Sequence, residues 1–216
     1  MSMTSTLRRF TLTTHVTSSV GWLGAVLVFI ALAGIGLTSA DERVVRGAYL
    51  LMAPAAWFVL VPLAHASLLS GVVLSLGTPW GFFRHYWVAL KLAITAFATV
   101  ILLVYMGTFR QMAGVAADPV APLGLVRNPS PLVHAILALV LLVVATALAI
   151  YKPFGMTPYG RRTFLSNRWH DQTESGITPD NVEPQARWLY AAVGGFLLAA
   201  LLALIATHIL GGSHGR

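Results

Sequence analysis

Five ionisable side chains fall inside or at the edge of long apolar stretches of this 216-residue chain: His15, His65, Lys91, His134 and His208. An ionisable group in hydrocarbon is costly and usually faces a bundle interior or a functional site. Neutral imidazole ligates iron, and two histidines on neighbouring helices at similar depth can hold a haem between them. His15 and His65 fit that pattern if the chain crosses the bilayer with alternating direction. Both then lie in the half that contains the N-terminus, and Lys91 joins them there. His134 and His208 share the opposite boundary. The small residues Ser18, Ser19, Gly21, Gly24 and Ala25 leave room for close helix approach, and Trp22 lies two turns beyond His15 on the same face. Arg8, Arg9 and Arg84 stand at the edge where haem propionates would need cations.

Each of these residues has a plainer reading. A membrane histidine also serves as a hydrogen-bond donor to a serine or a backbone carbonyl of the next helix. At the headgroup level, where His134, His208 and His85 fall, a histidine needs no special reason. Lys91 shares a face with Trp87 and Arg84. Its ammonium either snorkels to the surface or acts as a ligand, a propionate partner or a proton-transfer group. His170, Asp171 and Glu174 read as a solvated loop before they read as a divalent-cation site, and His214 as an exposed tail residue.

The elements that position these groups are membrane spans. Hydrophobic residues make up 57% of the chain and charged residues only 10%, where a soluble domain carries about 25% charged. The lipid bilayer must therefore be part of its solvent. Runs long enough to cross at about 1.5 Å per residue lie at about 11–37, 47–75, 86–109, 131–152 and 187–210. They are continuously apolar rather than alternating, so a β-barrel does not fit. The first run is longer than a signal-peptide core and reads as a retained helix. Ser39 with Glu42 suggests a capping box before the second span, and Ser130-Pro131 an N-cap with proline at the first helical position. Pro54 and Pro62 predict a kink within the second span, and Gly77-Thr-Pro-Trp-Gly81 a tight turn after it. A polar loop over 155–185 holds four of the seven acidic residues. Eight Lys and Arg on the side of the N-terminus against five on the other predict a cytoplasmic N-terminus and an outer C-terminus.

The segment His15-Val-Thr-Ser-Ser-Val-Gly-Trp22-Leu-Gly24 resembles the opening of the first helix in the HemJ-type protoporphyrinogen oxidases, and the copper-resistance-D membrane family begins similarly. Trp87-Val-Ala-Leu-Lys91-Leu is similar to the Trp-and-Lys segment of the HemJ type. The resemblance implies that His15 and Lys91 are functional and that haem b is bound. The family's Arg-Phe-Val-Tyr-His-like continuation is replaced here by Phe29-Ile-Ala-Leu-Ala, so the resemblance bears on haem binding rather than on porphyrinogen oxidation.

Together these observations predict one all-α transmembrane domain over residues 1–216, with about five helices, in a bacterial plasma membrane. The expected function is haem b binding for electron transfer or haem handling. Its site would draw on His15, His65, Lys91, Trp22 and Arg84, with a membrane redox partner or quinone and scope for haem-dependent oxidoreduction. Copper binding or transport through the same histidines, with His134 and His208 as weaker ligands, is the first alternative. A non-catalytic membrane subunit of a larger complex is the second. The six methionines form no Met-x-x-Met ladder of soft Cu(I) ligands. Cysteine is absent, which removes disulfides and thiolate sites. The net charge of +7 reflects basic loops facing anionic lipid rather than nucleic acid. No nucleotide motif, serine-histidine-acid set or intramembrane carboxylate pair supports hydrolase chemistry.

Overall fold

A computed structural model describes residues 3–77, 85–151, 156–158 and 161–162. The proposed fifth span, His208, His170, His214, Arg84 and the 155–185 loop beyond Arg162 lie outside the described residues, as does most of the Gly77–Gly81 turn. The described chain is all α-helical apart from one isolated β-bridge between His85 and Met156. Its elements are α1 (Ser5–Thr38), α2 (Glu42–Ala55), α3 (Val61–Gly77), α4 (Tyr86–Ala117), the single turn α5 (Leu123–Val126) and α6 (Ser130–Tyr151). A π-helical turn, Ala56–Leu60, joins α2 to α3 in one continuous rod. It lies between Pro54 and Pro62, each of which removes a helical N–H, and the local departure from α-helix at the site of the expected kink is this wider turn.

The four rods Ser5–Thr38, Glu42–Gly77, Tyr86–Ala117 and Leu123–Tyr151 are long and apolar enough to span a membrane. In each, only 28% of the most apolar window is buried inside the protein. Leu27, Phe58, Val104 and Ile150 are among the large apolar side chains left outside, an exterior that water would not tolerate and lipid does. The chain is a multi-pass membrane protein. At about 1.5 Å per residue, the 34 residues of α1 reach well beyond a hydrocarbon core of about 30 Å.

The rods form a four-membered ring. α1 packs along the α2–α3 rod and α6, and α4 packs along the same two, whereas α1 and α4 make no direct backbone contact. α1 and α4 are therefore diagonal, and their inward faces meet across the axis. On α1 that face is Thr11, Ser18, Trp22, Val26, Phe29, Ala33 and Gly36, all buried. The three- and four-residue spacing is that of one helical stripe, and His15 falls on it. On α4 the stripe runs through Trp87, Ile94, Ala98, Tyr105, Phe109, Met112 and Ala116, with Lys91 in register. Phe109 meets Phe29 edge-on at 5.4 Å and Tyr105 edge-on at 4.9 Å, geometries that aromatic quadrupoles favour.

Three boundaries differ from the sequence expectation. The predicted end at Phe109 is passed by eight residues, because Met112 and Ala116 are buried against the core and Arg110 directs its Nε to the Met106 carbonyl. The cap of α2 is Asp41, whose carboxylate accepts the Arg43 N–H at 2.8 Å. Ser39 instead accepts the Asp41 N–H. Before α6, the Asn128 side chain accepts the Ser130 N–H at 2.9 Å, which leaves the Ser130 hydroxyl to accept from Tyr105.

Candidate functional site

Among the described residues, the buried serine and threonine side chains gather at one end of the bundle. The buried polar side chains are Thr11, Ser18, Ser67, Ser70, Ser75, Thr95, Thr99 and Thr157. The first seven belong to the N-terminal half of α1, to α3 and to the first half of α4. The described acidic residues, Asp41, Glu42 and Asp118, all lie at the opposite end. Most of the buried hydroxyls donate to the carbonyl four residues back in their own helix, so their oxygens remain available as acceptors.

His15 sits in the middle of this polar end. Its Nδ1 lies 2.9 Å from the Ser67 carbonyl oxygen and 3.1 Å from the Ser70 hydroxyl. A carbonyl only accepts, so Nδ1 carries the proton and donates. Nε2 is then the nitrogen with the lone pair, the form in which imidazole binds a metal. Beside it, the Ser19 and Ser67 hydroxyls are 2.7 Å apart and tie α1 to α3. The ring edge rests on Gly71, where an added Cβ would come within 3.1 Å of Cε1. Across the axis, Lys91 stands in register with the inward stripe of α4. Lys91 is partly buried, and its ammonium has no hydrogen bond or ion pair among the described residues.

The other predicted residues are distributed differently. His65 donates from Nδ1 to the Val61 carbonyl of its own helix at 2.8 Å. It stands two residues from Ser67, about 200° around the helix, on a partly exposed flank. The described contacts do not bring it to His15: α3 presents Ser67 and Ser70 to that ring and carries His65 on a different flank. Trp22 is buried on the same stripe as His15 but faces the apolar half of the bundle. His134 donates from Nδ1 to the Ser130 carbonyl at 2.8 Å, and its ring stacks on Tyr105 at 4.0 Å. His85 precedes α4 near the membrane edge, its ring 6.4 Å from that of Trp87. Met52, Met106 and Met112 are buried as core side chains.

Among the described residues, no group of three or more His, Cys, Asp or Glu side chains is placed to hold a metal ion. A macrocycle that brings four of its own ligands requires no such group. Sequence reading missed Ser67, Ser70, Gly71, Thr95 and Thr99. The signal was present in the helical spacing of Ser67, Ser70, Gly71 and Ser75, which marks one face of α3. The chain matches no protein-family model, no curated protein and no solved structure.

Proposed function

We propose that this membrane protein binds haem b at the polar end of its bundle, where His15 would hold the iron, and that it serves electron transfer or haem handling. One observation carries the reading: the Ser67 carbonyl fixes the His15 tautomer that leaves Nε2 as a ligand, on a ring cradled by a glycine that a methyl group would crowd. Lys91 is the second feature. A cation on the inward face, with no acid among the described residues at its end of the bundle, would pair with a haem propionate or serve as a further ligand. The HemJ-like resemblance singles out the same two side chains. The haem would supply reversible one-electron chemistry. The chain would orient the ligand, neutralise a propionate and keep water from the iron with the apolar stripe beyond Trp22. In this reading the membrane is a bacterial plasma membrane, the N-terminus is cytoplasmic, and a quinone or membrane redox protein exchanges the electron.

The test is the visible absorption spectrum of detergent-purified protein. A Soret band and reducible α and β bands are expected, and His15→Ala should abolish them. Protein that stays spectrally silent after haem reconstitution would refute the proposal. Bound copper in that same silent protein would favour the copper reading instead.

A further inference from the structure

The opposite half of the bundle holds a cavity of about 70 Å³ between α1, α4 and α6. Along α4 its wall runs from Phe97 to Phe109 and along α6 from Pro131 to Leu141, about 15–18 Å at 1.5 Å per residue, so the lining follows the helices over several turns. It exists because Ala98, Ala135 and Ala138 face it where larger side chains would close it. It is partly open to the outside of the bundle. The hydroxyl and imidazole groups on its described wall are two: the Tyr105 hydroxyl, which donates to Ser130 at 2.7 Å, and the His134 ring, whose Nδ1 donates to the Ser130 carbonyl. A buried water needs two to four polar partners, and this wall does not supply them. One water-sized group needs about 10–15 Å³ by this measure, so the cavity takes on the order of five methylene-sized groups. A porphyrin does not fit it.

We propose that this cavity is a binding site for the end of a hydrocarbon chain, an acyl or isoprenoid tail that enters from the bilayer. The lining follows the helices over several turns, which selects a chain over a compact molecule. It selects apolar over polar, and runs parallel to the lipid chains around it. The proposal stands apart from the haem site, which lies at the other end of the bundle.

The experiment uses the full chain in lipid nanodiscs, loaded separately with a diazirine-bearing fatty acid and a diazirine-bearing geranylgeranyl alcohol, then illuminated and mapped by mass spectrometry. Label on α4 should fall at the inward positions Ala98, Ile101, Leu102 and Tyr105. Label confined to the outward Val100, Leu103 and Val104 overturns the proposal. Inward label from one probe alone identifies that tail as the occupant, and from both identifies a site for hydrocarbon chains in general. Filling the space with Ala98→Leu and Ala138→Leu together should lower inward label by about ten-fold, since protein methylenes replace ligand methylenes. Undiminished inward label in the folded double variant would equally refute it. Should that variant not fold, the wild-type label pattern decides the question alone.

Discussion

His15 reaches α3 through a donor, and that single proton decides which chemistry the ring can do. The Ser67 carbonyl cannot be removed by substitution, but its neighbour Gly71 can be changed. Gly71→Ala places a Cβ about 3.1 Å from Cε1 and must displace the ring by a few tenths of an ångström. We predict lower haem occupancy or a shifted Soret band. Gly24→Ala, on the same α1 but with no neighbour within 4 Å, should leave the spectrum unchanged and raise stability by up to about 1 kcal/mol through helix propensity. Equal behaviour of the two variants would remove Gly71 from the site. Lys91 separates three roles by two substitutions. A snorkelling or propionate-pairing cation tolerates arginine, whereas an iron ligand or proton carrier does not, because guanidinium stays protonated. We expect Lys91→Met to lower haem occupancy or shift the reduction potential. Full occupancy and an unchanged potential in both Lys91→Met and Lys91→Arg would exclude it from the haem site.

The helices at the acidic end are joined by backbone capping rather than by buried charge pairs. Arg46 pairs with Glu42 at 2.6 Å and also donates to the carbonyls of Asp118 and Ala121, at 2.7 and 2.6 Å. One guanidinium therefore closes the C-terminal end of α4 and the loop that follows. Tyr49 works beside it: its hydroxyl donates to the Asn128 carbonyl and accepts the Asn128 N–H, both at 3.0 Å. Arg46→Ala should destabilise the protein by about 1–3 kcal/mol, the scale of losing hydrogen bonds to a charged donor, read as a lower melting temperature in detergent. Gly36→Ala sets a Cβ 2.9 Å from Tyr49 Cε2 on a fully buried ring. It should cost about 1–3 kcal/mol despite the better helix former. A melting temperature at or above wild type for Gly36→Ala would show that α1 and α2 have freedom to separate.

For the molecule as a whole, the ring of four rods puts buried serines and threonines at one end and apolar space at the other. That asymmetry gives topology its functional weight. With the N-terminus cytoplasmic, the His15 and Lys91 end faces the cytoplasm. A reporter inserted at Asp118, in the loop between α4 and α5, should then be active in an extracytoplasmic format, and one fused ahead of Ser5 in a cytoplasmic format. The reverse pattern would place the polar end outside the cell. It would leave the grouping of His15 with Ser67, Ser70 and Lys91 unchanged, because that grouping is set by packing within the bundle whichever side it faces.

The solvent and the rods are legible in the residues alone. Lipid follows from 10% charged residues, and the four described spans follow from uninterrupted apolar length. These are properties of single segments, and a segment's transfer energy is written in its own residues. His15 and Lys91 were legible for a related reason, since a titratable group within such a segment stands out without knowledge of its neighbours. Only the tertiary structure decided which groups meet. It turned His65 away from His15 and gave His15 a serine carbonyl and hydroxyl from α3. It placed α1 and α4 on a diagonal, so that Lys91 faces the imidazole across the axis. It also left a cavity where three alanines coincide. Depth along a span is a count of residues. Rotation about it, and the choice of neighbour, depend on packing between helices far apart in the chain, where a shift of one residue turns a side chain by about 100°.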